Sequence, residues 1–252
     1  MVIKNERIGS TSVNRHGTSM TVIDYQGTKN VTVQFPNGYT VNTSWQAFSK
    51  GSVKNPYDKT IFGIGYLGEG KYLSKNRGKV TKQYDVWRSM LTRAYSKEFH
   101  ERQTSYELCS VAKEWHNFQT FAKWFDDNYY EIDGERLELD KDILCKGNKQ
   151  YSPSTCIFVP ASINKLFIKV DKSRGEQPVG VYHKKGTGKY YASVRKNGRS
   201  VFLGSYETQK EAFMAYKEAK ELNIQEVADE YKDYIPTELY EALINYEVHI
   251  ND

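Results

Sequence analysis

The chain has 252 residues, 38% hydrophobic and 14% aromatic, with 36 Lys and Arg against 31 Asp and Glu for a net charge of +5. No apolar run approaches the roughly 18 residues of a membrane span, the N-terminal MVIKNERIGSTS lacks an apolar leader core, and Cys109, Cys145 and Cys156 are too scattered for a disulfide framework or a four-thiolate zinc site. These features predict a cytoplasmic protein without membrane contact, too aromatic for disorder and long enough for two or three small domains.

The segments TVIDY (21–25) and VTVQF (31–35) alternate apolar and polar residues as half-buried strands do, and Pro36-Asn37-Gly38-Tyr39 closes a hairpin between such runs. Glycines then punctuate IFGIGYLGEGKY too closely for a helix, so residues 1–70 read as a small β-domain. Gly63, Gly65 and Gly68 have the spacing of a dinucleotide-binding loop, but no strand–helix–strand context surrounds them, and they read as turns. Residues 71–82 (KYLSKNRGKVTK) hold five basic residues and no acid. This is a basic linker, with Lys75, Arg77 and Lys79 expected along a nucleic-acid backbone.

Residues 80–95 place Tyr84, Trp87, Met90, Leu91 and Ala94 on one helical face; residues 112–130 repeat the pattern with Trp115, Phe118, Ala122, Phe125 and Tyr129. Both aromatic stripes read as core. RLELDKDILC is extended, GNKQYSPST a loop, CIFVP a short buried strand, and ASINKLFI opens a helix. GVYHK, GKYYASVRK and RSVFLGSY follow as three strands, the last two joined by Asn197-Gly198. The helix ETQKEAFMAYKEAKELN comes next, with Thr208 as N-cap and Ala212, Ala215, Tyr216 and Ala219 as a small face for the sheet. Pro236 breaks the acidic end.

Charge is distributed unevenly. Residues 207–252 carry 4 basic and 12 acidic side chains, whereas 178–206 carry six basic and no acidic ones. Concentrated cations point to a polyanion, because each one that meets a phosphate releases condensed counterions. Side chains alternate faces along a strand. Tyr190, Ala192, Val194, Val181, Val201 and Leu203 should therefore face the helix, leaving Tyr182, Lys184, Tyr191, Ser193, Arg195, Ser200 and Phe202 outward. Lys185, Lys189, Lys196 and Arg199 flank that set as phosphate contacts. A sheet of this width fits the major groove, where Arg reads guanine edges and aromatic rings meet sugars or thymine methyls.

The GVY opening, the GK-aromatic pair, the Arg ending the second strand, FLG-x-Y and the EA…AY helix resemble the plant ethylene-response-factor-type DNA-binding domain, which also occurs in phage and mobile-element nucleases. The resemblance covers about 45 residues and implies double-stranded DNA contacts at Tyr182, Lys184, Ser193, Arg195, Ser200 and Phe202. That family usually has Arg or Trp at several of these positions, so base specificity does not transfer.

A second block spans about 84–168: Tyr84, Trp87, Met90, Tyr95, Cys109, Trp115, Phe118, Asp140, Asp142, Asn148, Tyr151, Pro153, Cys156 and Asn164. It resembles the ββα-metal nucleases of the HNH and phage endonuclease VII group. The resemblance implies phosphodiester hydrolysis with one Mg²⁺ or Mn²⁺ held by Asp140 and Asn164, and a histidine after the first aspartate to activate water. This chain has Lys141 there. A lysine of ordinary pKa, about 10.4, is protonated at neutral pH and is no base. Three readings compete: an active variant in which Asp142 or a metal-bound hydroxide serves, with Lys141 on the scissile phosphate; a degenerate scaffold that still binds DNA; or a charged turn.

The expectation is an α+β protein: a small β-domain (1–70), basic linker (71–82), ββα-metal-like domain (83–170), three-stranded sheet plus helix (178–225) and acidic helical tail (226–252). The expected function is double-stranded DNA binding with metal-dependent cleavage, of phage or mobile-element type. The alternatives are a non-catalytic regulatory or architectural DNA-binding protein, or an inhibitor of a host nucleic-acid enzyme. The acidic tail is a candidate surface for a protein partner, or a cover for the basic sheet.

Overall fold

A computed structural model describes residues 6–167 and 177–250 as an α+β protein. The outer ends of the expected 1–70, 83–170 and 226–252 segments, and Ile168 of the ASINKLFI helix, lie outside the described residues. The chain forms two compact units. One comprises Met1–Asp127 with Gln150–Ser152; the other comprises Asn128–Lys149 with Pro153–Asp252. The division therefore runs through the 83–170 segment, between its aromatic helices and its strands.

In the first unit, β1 (Thr11–Val13), β2 (Ser19–Gly27), β3 (Asn30–Gln34) and β4 (Thr40–Thr43) form an antiparallel meander. Alternation buries Met20 and Val22 of β2 and Val31 and Val33 of β3. A bulge between Val22 and Asp24 shifts the phase, so Tyr25 is buried and Ile23 is left 43% exposed. Phe35 and Phe48 complete this core, the latter from α1 (Trp45–Ser49), whose N-cap Ser44 Oγ accepts from the Ala47 N–H at 3.1 Å.

The segment expected as a linker is folded. Its strands β5 (Lys75–Asn76) and β6 (Lys79–Val80) pair as a short hairpin. The helix α2 (Lys82–Tyr95) follows and buries Trp87, Met90, Leu91 and Ala94. The short α3 (Lys97–Arg102) and the strand β7 (Ser110–Val111) come next. The second aromatic stripe is split: Trp115 lies in a 3₁₀ turn, and α4 (Phe118–Asn128) begins only after Asn117, whose side-chain oxygen accepts from the Gln119 N–H at 2.9 Å. Trp87 Nε1 donates to the Trp115 carbonyl at 2.7 Å, tying the two stripes together. The glycine segment packs directly on α2: a β-carbon at Gly65 would lie 2.5 Å from Leu91 Cδ1. The turn at Gly63 is as expected, whereas the close approach at Gly65 was not foreseen.

In the second unit, β8 (Leu137–Asp140) pairs antiparallel with β10 (Ile157–Pro160), matching Asp140 with Ile157; the intervening β9 (Gln150–Tyr151) belongs to the first unit, where it pairs in parallel with β7. A short helix, α5 (Ala161–Asn164), follows β10 directly. The sheet β11 (Val181–Lys184), β12 (Lys189–Lys196), β13 (Arg199–Tyr206) is antiparallel in that order. The helix α6 (Gln209–Tyr231) starts with a reciprocal cap: Thr208 Oγ1 accepts from the Glu211 N–H at 3.2 Å, and Glu211 Oε2 from the Thr208 N–H at 3.0 Å.

At 23 residues α6 spans about 34 Å, long enough to serve two cores. Its first half packs Ala212, Phe213 and Tyr216 against Val181, Ala192 and Val194 of the sheet. Its second half packs Ile224 and Ala228 with Ile157, Val159 and Ile163, and with Leu239 and Leu243 of α7 (Thr237–Ile244). The strand–strand–helix element and the three-stranded sheet are thus joined through one helix, because α6 does not stop at 225. The expected tail is largely folded, and Pro236 caps α7.

Candidate nucleic-acid interface

The face of the β11–β13 sheet opposite α6 carries the cationic and aromatic side chains. Strand pairing sets Tyr182 opposite Tyr191, Lys184 opposite Lys189, Ser193 opposite Phe202 and Arg195 opposite Ser200. Each pair shares a face. The Tyr182 and Tyr191 rings stack, with centroids 5.3 Å apart and planes at 18°, and Phe202 adjoins Tyr191 at 5.8 Å. An aromatic ladder therefore crosses all three strands, yet Tyr182 is 47% and Phe202 59% exposed. Lys184 Nζ lies 5.9 Å from the Tyr191 ring centroid. The Thr187 hydroxyl, then that of Ser205 and the charges of Lys184 and Lys189, hold the Tyr191 phenol below the ordinary tyrosine range.

Ser205 was not foreseen. Simple alternation continues from Phe202 to Gly204 and Tyr206 on the outer face. The register shift at Ala192/Ser193 adds one residue to β13, so Ser205 pairs with Tyr191 outside and Tyr206 with Tyr190 inside. Val201 pairs with Val194 on the inner face as expected, but stays 42% exposed. The strand entry depends on Gly180. With φ +75° and Tyr216 behind it, a β-carbon there would lie 1.9 Å from the Tyr216 ring.

The cations of the sheet, both the outward Lys184 and Arg195 and the expected phosphate contacts Lys185, Lys189, Lys196 and Arg199, separate into two sets. Lys184, Lys185, Arg195 and Arg199 are exposed, with no ion pair among the described residues; the Arg195 Nε–H donates only to the Gly198 carbonyl, at 3.4 Å. Lys189 pairs with Glu207 at 2.7 Å. Lys196 and its cross-strand partner Arg199 belong to the inner parity of the sheet, so neither is part of the outward set, and Lys196 also pairs with Glu226 of α6. The expected cover over the basic face is also corrected. The end of the chain returns along α6, with the Val248 N–H donating to Glu221 at 2.7 Å and its side chain packed in the inner core of the sheet, opposite the cationic face.

The carboxylate cluster lies at the end of β8. Leu137 and Leu139 point into the core, leaving Glu138 and Asp140 on the other face. One oxygen of Asp140, Oδ1, accepts from the backbone N–H groups of Asp142 and Ile143, both at 2.8 Å, and closes the following turn. Burial first, then the charge of Asp142, pushes the Asp140 carboxyl above the ordinary carboxylate range, against those two N–H groups and Lys141.

Lys141 is only 6% exposed. Its Nζ is 3.1 Å from Asp142, and Asn148 Nδ2 donates to its carbonyl at 2.6 Å. The expected place on a scissile phosphate is corrected accordingly: the turn folds Lys141 inward. Asn164 meets Glu138, not Asp140, with Nδ2 donating to Oε2 at 2.7 Å. Glu138 went unremarked in the sequence, although the LELD alternation puts it beside Asp140.

Among the described residues no three His, Cys, Asp or Glu side chains converge as a ligand group. The donors present, Asp140, Glu138 and the amide oxygen of Asn164, are nevertheless the hard oxygen type that Mg²⁺ and Mn²⁺ take, and such ions keep several water ligands. The amide of Asn164 engages Glu138 through its nitrogen, so its oxygen is the end suited to a cation. The donor chemistry fits the ion. The third group of candidates, Lys75, Arg77 and Lys79, lies on the β5–β6 hairpin of the first unit. Among the described residues no helix is long and apolar enough to cross a membrane. Compared with known proteins, the chain matches no family model, no curated protein and no solved structure.

Proposed function

We propose that the protein binds double-stranded DNA through the outer face of the β11–β13 sheet. The observation that supports this most is the pairing of a three-ring ladder with cations that have no acidic partner among the described residues, on one face of a sheet whose other face packs on α6. An idle sheet surface gains nothing from exposing Tyr182 and Phe202. Three strands about 4.8 Å apart make a ribbon about 10 Å wide, against a major groove about 12 Å wide. Lys184 and Lys185 would meet phosphates, while Arg195, flanked by Ser193 and Ser200, would face base edges. A gel shift with duplex oligonucleotides at low ionic strength tests the proposal: a salt-sensitive shift supports it, and no shift ends it.

Cleavage is a second reading, favoured by Asp140. A buried carboxylate whose proton affinity is raised is one that an adjacent cation stabilises. Asp140 and Asn164, with Glu138 beside them, would hold Mg²⁺ or Mn²⁺, and the ion would supply electrostatic stabilisation of the phosphate. Glu138 orients the Asn164 amide, the turn N–H groups fix Asp140, and Lys141 neutralises Asp142. None of these is a ready base, so water activation would fall to the ion. Nicking of supercoiled plasmid that needs metal and disappears in Asp140→Ala supports this reading. Full binding without nicking leaves a non-catalytic DNA-binding protein on the same scaffold.

A further inference from the structure

The basic hairpin is built as an arm with its charges splayed. Its turn, Arg77-Gly78, has both residues at positive φ, +48° and +82°. Asn is the usual first residue of such a turn, because a side chain with a full β-carbon crowds the left-handed conformation. Here a long cation takes that position at the apex. Lys75 pairs with Val80 and Asn76 with Lys79, so Lys75 and Lys79 project from opposite faces of the ribbon. The base is held shut by Thr81, whose Oγ1 donates to the Leu73 carbonyl at 2.7 Å and whose N–H donates to Ser74 at 3.1 Å. Arg77, Lys79 and Lys82 line one open depression of about 440 Å³, and none of its other lining residues is acidic. Lys75, Arg77 and Lys79 are exposed and form no ion pair among the described residues.

We infer that this arm is a second duplex contact, in which Arg77 enters the minor groove and Lys75 and Lys79 reach the two phosphate backbones beside it; the inference rests on the duplex-binding reading above. A minor groove about 6 Å wide admits one extended side chain but not a ribbon. The apex offers a single side chain, and the two lysines diverge toward opposite walls. Guanidinium is more weakly hydrated than ammonium and enters a narrow groove more readily. A·T-rich tracts, whose minor groove is narrow and most negative, are the matching target. Each unit of the chain thus carries its own contact.

The test uses the full chain on an A·T-rich and a G·C-rich duplex, with and without netropsin as a minor-groove blocker. Arg77→Asn suits the turn better than the native residue, so weaker binding by it cannot come from a broken hairpin. The inference expects the wild type to favour the A·T-rich duplex and to lose that preference with netropsin or in Arg77→Asn. Lys75→Ala with Lys79→Ala should keep the preference but make the salt slope shallower by about 1.8. Unchanged affinity and preference in Arg77→Asn, while Lys184→Ala with Arg195→Ala still weakens binding, overturns the arm and leaves the sheet reading intact. A wild type that binds neither duplex removes both.

Discussion

Replacing Lys184 and Arg195 together by Ala removes two of the three cations on and beside the outer sheet face that have no acidic partner among the described residues, one assigned to a phosphate and one to base edges; Lys185 remains. Each phosphate neutralised adds about −0.9 to the slope of log affinity against log salt, so the share of Lys184 and Lys185 is about −1.8 in the wild type and about −0.9 in the double variant. Over a rise from roughly 50 to 200 mM salt, that share costs the wild type about 12-fold in affinity and the variant about 3.5-fold. The assay is fluorescence anisotropy of a labelled duplex across a salt series, with Lys196→Ala as the internal control. Lys196 is committed to Glu226 on the helix side, so its removal should leave the slope nearly unchanged. An unaltered slope in the double variant, or an equal change in Lys196→Ala, would refute the assignment of the outer face as the phosphate contact.

Asp140→Asn keeps the oxygen that accepts from Asp142 and Ile143 but removes a charge that the fold disfavours. Because the native carboxyl holds its proton at a pH where the unfolded chain has released it, wild-type stability should fall as pH rises out of the ordinary carboxylate range, about pH 4, and the variant should lack that loss. Urea melts of both proteins between about pH 4 and 7 check this, and a pH-independent difference between them would contradict it. Gly180→Ala should destabilise by about 1–3 kcal/mol through overpacking against Tyr216, read by the urea midpoint. Thr208→Ala should cost about 1 kcal/mol by removing the cap of α6. Since α6 joins both cores of its unit, the β8–β10 element and the sheet should lose stability together, as hydrogen exchange would show.

What was legible in the sequence was local and periodic. A period of two in GKYYASVRK and a period near 3.6 around Trp87 follow from backbone geometry alone, so the three strands of the sheet, the outward side chains of β11 and β12, and the first aromatic helix could be read residue by residue. The capping Thr208 and the turn at Asn197-Gly198 needed only neighbours within four positions. Tertiary structure decided whatever depends on a partner far along the chain. Lys141 is buried because the turn after β8 folds it inward onto Asp142. Lys196 is neutralised by a glutamate 30 residues away. Asn164 finds Glu138, not Asp140, because the short helix α5 lies over β8. Ser205 reaches the outer face only through a bulge, which single-strand alternation cannot register. Val248, near the acidic end, packs into the inner core of the sheet and its N–H meets Glu221, partners that lie far from it along the chain. Charge counts describe how much charge a segment carries; only the fold determines which charges remain unneutralised at the surface.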